Sequence, residues 1–274
     1  MDWQIAPSGR MSVVPQTAEF RADTVWNARV DLAAALRWAS RLGFGEGVCN
    51  HFSVMPPGGG GHCLINPFGR HWAEMRPGDL LLLDDGGAVI DGSGEVEATA
   101  FHIHSRLHRH RPDAVAVLHT HMPHATALTM IDGGRLEPSH QSALRFYGVI
   151  AYDDHYNGLA LDAGEGDRLA AAMGEARILF MANHGVIVTG PSVAEAFDAL
   201  YYLERACQVH LLALSTGRPL RVIPEDVAKR TRAQFDQDAR LYASAHFEAL
   251  KRMLKAETPD FDDRSAAMES VKAV

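Results

Sequence analysis

The chain has 274 residues, 47% of them hydrophobic and 22% charged, which is typical of one large or two small globular domains. Its formal net charge of −8 disfavours a general nucleic-acid or anionic-membrane surface, because such surfaces need clustered Lys and Arg. Residues 1–20 lack a secretion signal, and no run approaches the roughly 20 apolar residues of a membrane span. Three cysteines without a CxxC pair fit a reducing compartment. We therefore expect a cytoplasmic protein with a small-molecule or protein partner.

Hydrophobic periodicity predicts helices and strands in alternation after an N-terminal arm at 1–23. Helices are predicted at 24–42, 98–110, 125–130, 139–146, 167–174, 193–216 and 224–255. Strands are predicted at 51–55, 63–66, 79–83, 114–118, 149–151, 178–181 and 186–189. This order indicates one α/β domain at 24–216, followed by a helical extension and tail at 217–274, of which the part from Glu257 onward is expected to be loose.

The sequence VLHTHMPH at 117–124 places two histidines one residue apart, directly after an apolar run. In a strand, residues i and i+2 project to the same face, so His119 and His121 would present adjacent imidazoles. Zinc, iron and manganese all accept neutral imidazole, and an open three-histidine site leaves positions for water or substrate. His184, in an Asn-His-Gly turn between two apolar runs, is the predicted third ligand. The alternative is that the paired histidines face solvent or are hydrogen-bonded in the core.

Four segments resemble the class II aldolase and adducin head family. They are GVCNHFSV (47–54), LINPFG (64–69), RPDAVAVLHTHMPHATAL (111–128) and ANHGVIVTGPSVAEAF (182–197). The resemblance implies an α/β fold with a central, mainly antiparallel sheet and helices on both faces. By position, the family's three metal histidines fall on His119, His121 and His184, which are the residues chosen above from their pattern.

The chain departs from the sugar-phosphate aldolases that it resembles. Those enzymes have a Pro-Ser-Ser-Glu run, whereas residues 98–100 here are Ala-Thr-Ala, so Ala100 replaces the acid/base glutamate. Asn50 and Ser53 match the family's other phosphate loop and are predicted to bind substrate. Gln141 lies where the fuculose-phosphate type has a catalytic Tyr. Sugar phosphates are therefore expected to be poor substrates.

Other polar residues could complete the predicted site. Glu97 shares a helix face with Ala100 and could reach the metal or its water, although an acid in the first turn also favours the helix dipole. His104 matches a family histidine and could orient a ligand or substrate, or it could be a buried helix histidine. Gln141 could line the pocket. Arg145 could pair with a substrate carboxylate or form an ordinary ion pair.

These residues favour a metal-dependent carbon–carbon lyase, of aldolase or decarboxylase type, that acts on a small non-phosphorylated hydroxy or keto acid. A divalent ion would polarise two substrate oxygens and stabilise the enolate left by bond cleavage. Zinc is the first choice, and Fe(II) and manganese are alternatives. Retro-aldol cleavage and decarboxylation share the enolate, so the sequence does not separate them.

Two other functions stay open. A non-heme Fe(II) oxygenase, similar to enzymes of aminocoumarin biosynthesis, could use the same three histidines. An adducin-like module without turnover is the other, although retention of all three histidines argues against it. A homotetramer with pockets at subunit boundaries is also predicted, because the resemblance implies fourfold rings and the helices at 193–216 and 224–255 carry more apolar surface than one small sheet can cover.

Overall fold

The structure is a computed structural model that describes residues 3–5, 11–13, 18–58 and 61–265, with side chains from residue 23 onward. The strands are β1 (Trp3–Ile5), β2 (Met11–Val13), β3 (His51–Val54), β4 (Cys63–Ile65), β5 (Leu81–Leu83), β6 (Val89–Asp91), β7 (Ala116–Thr120), β8 (Ile150–Asp153), β9 (Ile178–Met181) and β10 (Gly185–Gly190). The α-helices are α1 (Ala18–Arg41), α2 (Ala98–His110), α3 (Pro123–Thr129), α4 (Ala163–Met173), α5 (Val193–Leu214) and α6 (Glu225–Glu257). Short 3-10 helices cover Trp72–Glu74, Pro77–Asp79 and Gln141–Phe146.

Eight strands form one sheet in the order β6-β5-β4-β3-β7-β10-β9-β8. Neighbouring strands pair antiparallel except β8 and β9, which are parallel. β7, which carries His119, lies between β3 and β10 near the middle of the sheet. The predicted α/β fold with a mainly antiparallel sheet is confirmed.

Helices cover both faces of the sheet, because successive strand residues project to opposite sides. On one face, Leu118 and Val188 pack in a core cluster with residues of α1, α3 and α5. On the other face, Val117 and Ile187 pack with residues of α2 and α4, such as Ile103. His119 follows the parity of Val117, so its side chain lies on the α2 and α4 face.

Several predicted boundaries differ from those of the structure, and one strand was missed. Helix α1 begins at Ala18, inside the predicted arm. Strand β6 was missed because its residues are all exposed, so no apolar alternation marks it. The predicted loose tail is docked in part: Phe261 is only 4% exposed and belongs to the main core. The rest of that tail, from residue 266, lies outside the described residues, and the division into domains stays a prediction.

Helix α6 packs on the helical layer that covers the sheet. The Trp38 indole N–H donates to the carbonyl of Leu250 at 2.9 Å, and the Lys251 ammonium lies 2.8 Å from Asp31 Oδ1. The C-terminal extension is thus tied to α1. None of the described helices combines the length and the apolarity needed to cross a membrane.

Candidate metal centre

Three histidines meet at the end of β7. His119 lies within that strand, His121 follows it, and His184 lies in the turn between β9 and β10. One ring nitrogen of each lies within 4.8 Å of the other two, and the ring centroids are 4.9–5.0 Å apart. Because β10 pairs with β7, the turn before β10 brings His184 beside the strand end. The juxtaposition predicted for these three side chains is present.

The turn that carries His184 depends on a close backbone approach. Asn183 has φ +55°, in the left-handed region that Asn tolerates, and its N–H donates to the carbonyl of Thr129 at 3.1 Å. A Cβ at Gly185 would lie 2.5 Å from the Thr120 carbonyl oxygen and 2.8 Å from His121 Cδ2. Glycine is therefore required there for the two ligand-bearing segments to meet.

Two rings are oriented by hydrogen bonds through Nδ1. His119 Nδ1 donates to the Val186 carbonyl at 3.0 Å, and His121 Nδ1 donates to Glu46 Oε2 at 2.5 Å. In the neutral form, Nε2 of each ring then carries a free lone pair. His121 Nε2 is buried and has no hydrogen-bond partner in the part of the chain that the structure describes. These are the features of a metal-ligating histidine, so the residues fit a divalent metal ion.

Burial keeps His119 and His184 uncharged at neutral pH. The pKa of His119 is well below its ordinary value, chiefly because burial penalises the cation and then because His51, His184 and His121 lie near. Burial, followed by the neighbouring His121, lowers the pKa of His184 to about 4. Neutral imidazole is the form that binds a metal, so these rings need not lose a proton at neutral pH.

A fourth histidine that the sequence did not single out adjoins the cluster. His51 on β3 is the register partner of His119 on β7, and their ring centroids are 4.8 Å apart. Its Nδ1 lies 2.7 Å from Nε2 of His104 on α2, and burial lowers the pKa of His51 to about 3. His104 is therefore a buried helix histidine. It contacts His51, which lies beside the candidate ligand His119. The sequence pointed to His51 only through its position in the segment GVCNHFSV, which resembles the family.

Ser53 lies in the same buried network, which does not support its predicted contact with substrate. Its Oγ is 2.5 Å from His104 Nδ1 and 2.7 Å from His108 Nε2, and the side chain is fully buried. His108 Nδ1 donates to the Ala114 carbonyl at 2.8 Å. Burial lowers the pKa of His108 to about 4 and that of His104 well below its ordinary value. The hydroxyl thus connects two histidines of α2.

Asn50 retains its predicted role as a candidate for substrate binding. It immediately precedes His51, and its φ of +70° places it in the left-handed region. Both side-chain amide atoms are buried and lack a hydrogen-bond partner among the described residues. A buried amide without partners is costly unless a ligand or water completes it.

The Glu97 carboxylate has the contacts of a helix cap. It accepts the Ala100 N–H at 2.9 Å and the Thr99 hydroxyl, and Glu97 is the N-cap of α2. These contacts favour the helix-start alternative, and a catalytic role for Glu97 stays a prediction. Ala100, in the place of the aldolase glutamate, is 2% exposed and packs in an apolar cluster with strands β4 and β5.

Arg145 and Gln141 were predicted to contact substrate, and that role stays a prediction. The Arg145 guanidinium lies 3.8 Å from the ring centroid of Tyr202, 4.6 Å from that of Phe235 and 3.6 Å from Asp198. Those partners belong to α5 and α6, in the layer opposite to the His119 face. The ordinary ion pair is the alternative that these contacts favour, and Gln141 is solvent-exposed.

Two acidic residues outside the predicted site residues support the cluster, and no sequence pattern indicated one of them, Glu46. Glu46, in the loop before β3, holds His121 as described. Glu204 on α5 is buried and accepts the backbone N–H groups of His124 and Ala125, both at 2.9 Å, at the first turn of α3. It thereby fixes the segment that follows His121. The loop position of Glu46 and the helical spacing around Glu204 do not indicate which distant residues they contact.

Residues 30–211 match the family described as Class II Aldolase and Adducin N-terminal domain, and the chain belongs to that family. It is 33% identical over 244 residues, 88% of this chain and 94% of the other, to a Caulobacter vibrioides protein named for aldolase class 2. It is 30% identical to decarboxylase NovR of Streptomyces niveus, over 87% of each chain. It is also 30% identical to a 4-hydroxy-3-prenylphenylpyruvate oxygenase/4-hydroxy-3-prenylbenzoate synthase of Streptomyces roseochromogenus subsp. oscitans, over 86% of this chain and 84% of the other.

Solved structures agree with this assignment. An aldolase II superfamily protein from Pseudomonas syringae superposes with a TM-score of 0.79 at 34% identity, covering 92% of this chain and 98% of the other. An L-fuculose 1-phosphate aldolase from Glaciozyma antarctica PI12 superposes with a TM-score of 0.77 at 29% identity, covering 89% of this chain and 96% of the other. The superfamily thus includes proteins named for lyase and for oxygenase reactions.

Proposed function

We propose that the protein is a metal-dependent carbon–carbon lyase, of aldolase or decarboxylase type, for a small hydroxy or keto acid without a phosphate group. The observation that carries this proposal is the arrangement of three imidazoles, each of which has a ring nitrogen within 4.8 Å of a ring nitrogen of the other two. His119, His121 and His184 would hold the ion, with zinc as the first candidate. Such an ion supplies a Lewis acid for the negative charge that bond cleavage leaves on the substrate.

Other residues would orient the ligand rings and bind the substrate. Glu46 and the Val186 carbonyl hold two of the rings in the required tautomer. The side-chain amide of Asn50, next to His51, has no hydrogen-bond partner among the described residues and offers both a donor and an acceptor to a substrate. Ala100, which replaces the aldolase glutamate, has no side-chain group that could carry a proton.

The preference for an unphosphorylated substrate rests on the start of α2. Ala98 and Ala100 offer no hydroxyl or carboxylate, and the hydroxyl of Thr99 donates to Glu97. Phosphate recognition needs several hydrogen-bond donors, and this segment supplies few of them. The fuculose 1-phosphate named for one solved relative is therefore not proposed for this chain.

An Fe(II)-dependent oxygenase is the second candidate. It is favoured by the relative named as an oxygenase, which is as similar to this chain as the decarboxylase is. The same three histidines would hold iron and leave positions for a keto acid and O₂. A binding module without turnover is disfavoured, because His121 Nε2 is buried, has no hydrogen-bond partner among the described residues, and is costly to bury unless a ligand completes it.

Metal analysis combined with a substrate panel separates these candidates. The protein should be purified without added metal, analysed by mass spectrometry for zinc, manganese and iron, and then supplied with small hydroxy and keto acids. Zinc or manganese with release of CO₂ or an aldehyde is expected. Iron with substrate-dependent O₂ consumption would establish the oxygenase instead, and protein without stoichiometric metal would contradict both.

We also propose that the protein is a homo-oligomer, with a tetramer as the first candidate. Part of the predicted α6 stripe packs within the subunit, since Phe247 is 1% exposed. Leu241, Tyr242 and Met253 remain 66%, 62% and 51% exposed, and surface apolar residues of this size favour a partner surface. Light scattering at low micromolar concentration tests this: a monomer of 29.9 kDa would contradict it.

A further inference from the structure

A buried series of hydrogen bonds leads from the segment after helix α2 to the histidine cluster. It begins at the Ala114 carbonyl and passes through His108, Ser53 and His104 to His51, with heavy-atom distances of 2.8, 2.7, 2.5 and 2.7 Å. His51 ends the series beside His119, its register partner on β7. None of the residues in this series of hydrogen bonds is a metal ligand in the proposed function.

The proton positions along this series follow from its first acceptor. A carbonyl oxygen only accepts, so His108 Nδ1 carries a proton, and in the neutral ring Nε2 is an acceptor. Ser53 must then donate its single proton to His108 Nε2. Because that proton is used, the Ser53 oxygen can only accept from His104, whose Nδ1 is therefore protonated.

The same reasoning reaches the cluster in one more step. A neutral His104 with a proton on Nδ1 has an acceptor at Nε2, so His51 Nδ1 is the donor of the last bond. A neutral His51 with its proton on Nδ1 has a lone pair on Nε2. The Ala114 carbonyl thus sets the tautomer of a ring that lies beside the candidate metal site, four hydrogen bonds away.

We infer that His51 is a positioned hydrogen-bond acceptor of the site, whose unprotonated Nε2 receives the proton of a substrate hydroxyl, or of water, beside His119. An acceptor at this point favours a hydroxyl group, which has a proton to donate. It disfavours a phosphate or carboxylate oxygen, whose lone pairs face the lone pair of the ring. The substrate part of this inference rests on the proposed function, whereas the tautomer of His51 does not.

The tautomers are measured directly by NMR on metal-free protein carrying ¹⁵N-labelled histidine. Long-range ¹⁵N–¹H correlations distinguish the two neutral forms of each ring, and the variant His51→Phe assigns the signals of His51. We expect a proton on Nδ1 and none on Nε2 for His51, His104 and His108. A His51 ring with its proton on Nε2, or a mixture of both forms, would overturn the inference.

Breaking the series of hydrogen bonds at Ser53 provides the second measurement. Ser53→Ala removes the hydroxyl that orients His104, so His104 and His51 are expected to become mixtures of tautomers. Ser105→Ala is the matched control, because it makes the same change at the residue after His104. An unchanged His51 spectrum in Ser53→Ala would show that the series does not set its tautomer. If Ser53→Ala fails to fold, the wild-type spectrum still decides the direction.

The substrate part is tested with zinc-loaded protein and two probes that differ by one hydroxyl, L-lactate and propionate. Calorimetric titration should show that wild type prefers lactate, and that His51→Phe reduces this preference by about tenfold, as expected for one hydrogen bond. His51→Gln, whose amide oxygen can accept, should retain part of it. Zinc content should be equal in all three proteins.

The outcomes separate this inference from the proposed function. Loss of zinc in His51→Phe would make His51 a ligand, and an unchanged lactate preference would remove its acceptor role; either result overturns the inference. If wild type itself binds no zinc, the proposed function fails and the substrate part fails with it. The NMR measurement still decides whether the series fixes the tautomer of His51.

Discussion

Glu46 and His121 are joined by a carboxylate–imidazole hydrogen bond of 2.5 Å between Oε2 and Nδ1, across 75 positions of the chain. A carboxylate at this place fixes the tautomer and the orientation of a ligand histidine and makes its other nitrogen a better donor to a metal. Glu46→Gln is therefore expected to weaken zinc binding by about 10- to 100-fold. Competition with a chromophoric chelator measures this affinity. Glu95→Gln, at another exposed glutamate, is the control, and equal affinity in the two variants would contradict the role of Glu46.

Gly185 is expected to be essential for bringing His184 to the other two histidines. Gly185→Ala would place a Cβ 2.5 Å from the Thr120 carbonyl, so the turn must shift and both metal affinity and the melting temperature should fall. Gly164→Ala is the control, because its Cβ would approach only a side-chain oxygen of Asp162, at 3.2 Å. A Gly185→Ala protein with wild-type zinc affinity would show that the cluster does not depend on this approach.

The buried histidines predict acid sensitivity of the metal-free protein. The pKa of His108 is lowered by burial from 6.5 to about 4, so on acidification the unfolded chain takes up a proton before the folded one. Its contribution to stability is complete above pH 6.5 and is lost between pH 6.5 and 4, at about 1.4 kcal/mol per pH unit.

Urea unfolding at several pH values between 7 and 4 tests this, with chelator present. His108→Gln should reduce the pH dependence of the free energy of unfolding by about one proton. Equal slopes in His108→Gln and wild type would contradict the assignment.

Sugar phosphates are expected to be poor substrates even if the aldolase glutamate is restored. Ala100 is 2% exposed in an apolar cluster, so Ala100→Glu would bury a carboxylate there and lower stability without creating an acid/base group in contact with solvent. A coupled assay of L-fuculose 1-phosphate cleavage, run on wild type and on Ala100→Glu, measures this. Efficient cleavage by wild type would show that the start of α2 does not decide the substrate class, and cleavage gained in Ala100→Glu would show that a carboxylate at residue 100 acts despite its burial.

The parts of the site that follow a local period could be predicted from the sequence. His119 and His121 were found from the two-residue repeat of a strand, and helix α2 was placed at the bounds it has, because its apolar residues recur at helical spacing. His184 needed its turn composition together with the family resemblance. The α/β fold followed from the alternation of periods along the chain.

The parts that depend on register and loop path could not be predicted. That His51 pairs with His119 is decided by how β3 aligns with β7, and no residue spacing encodes that alignment. Glu46 reaches His121 from a loop with no period at all. Phe261, in a polar segment, is buried because it docks against the main core, and its neighbours in the sequence give no sign of it.

The central claim is that His119, His121 and His184 together bind one metal ion, and metal content per chain tests it most directly. Wild type, His121→Ala and the control His110→Ala should be purified in parallel, analysed by mass spectrometry for bound metals and compared by circular dichroism. We expect about one ion per chain in wild type and in the control, with little or none in a folded His121→Ala protein. A folded His121→Ala protein that keeps its full metal content would contradict the account.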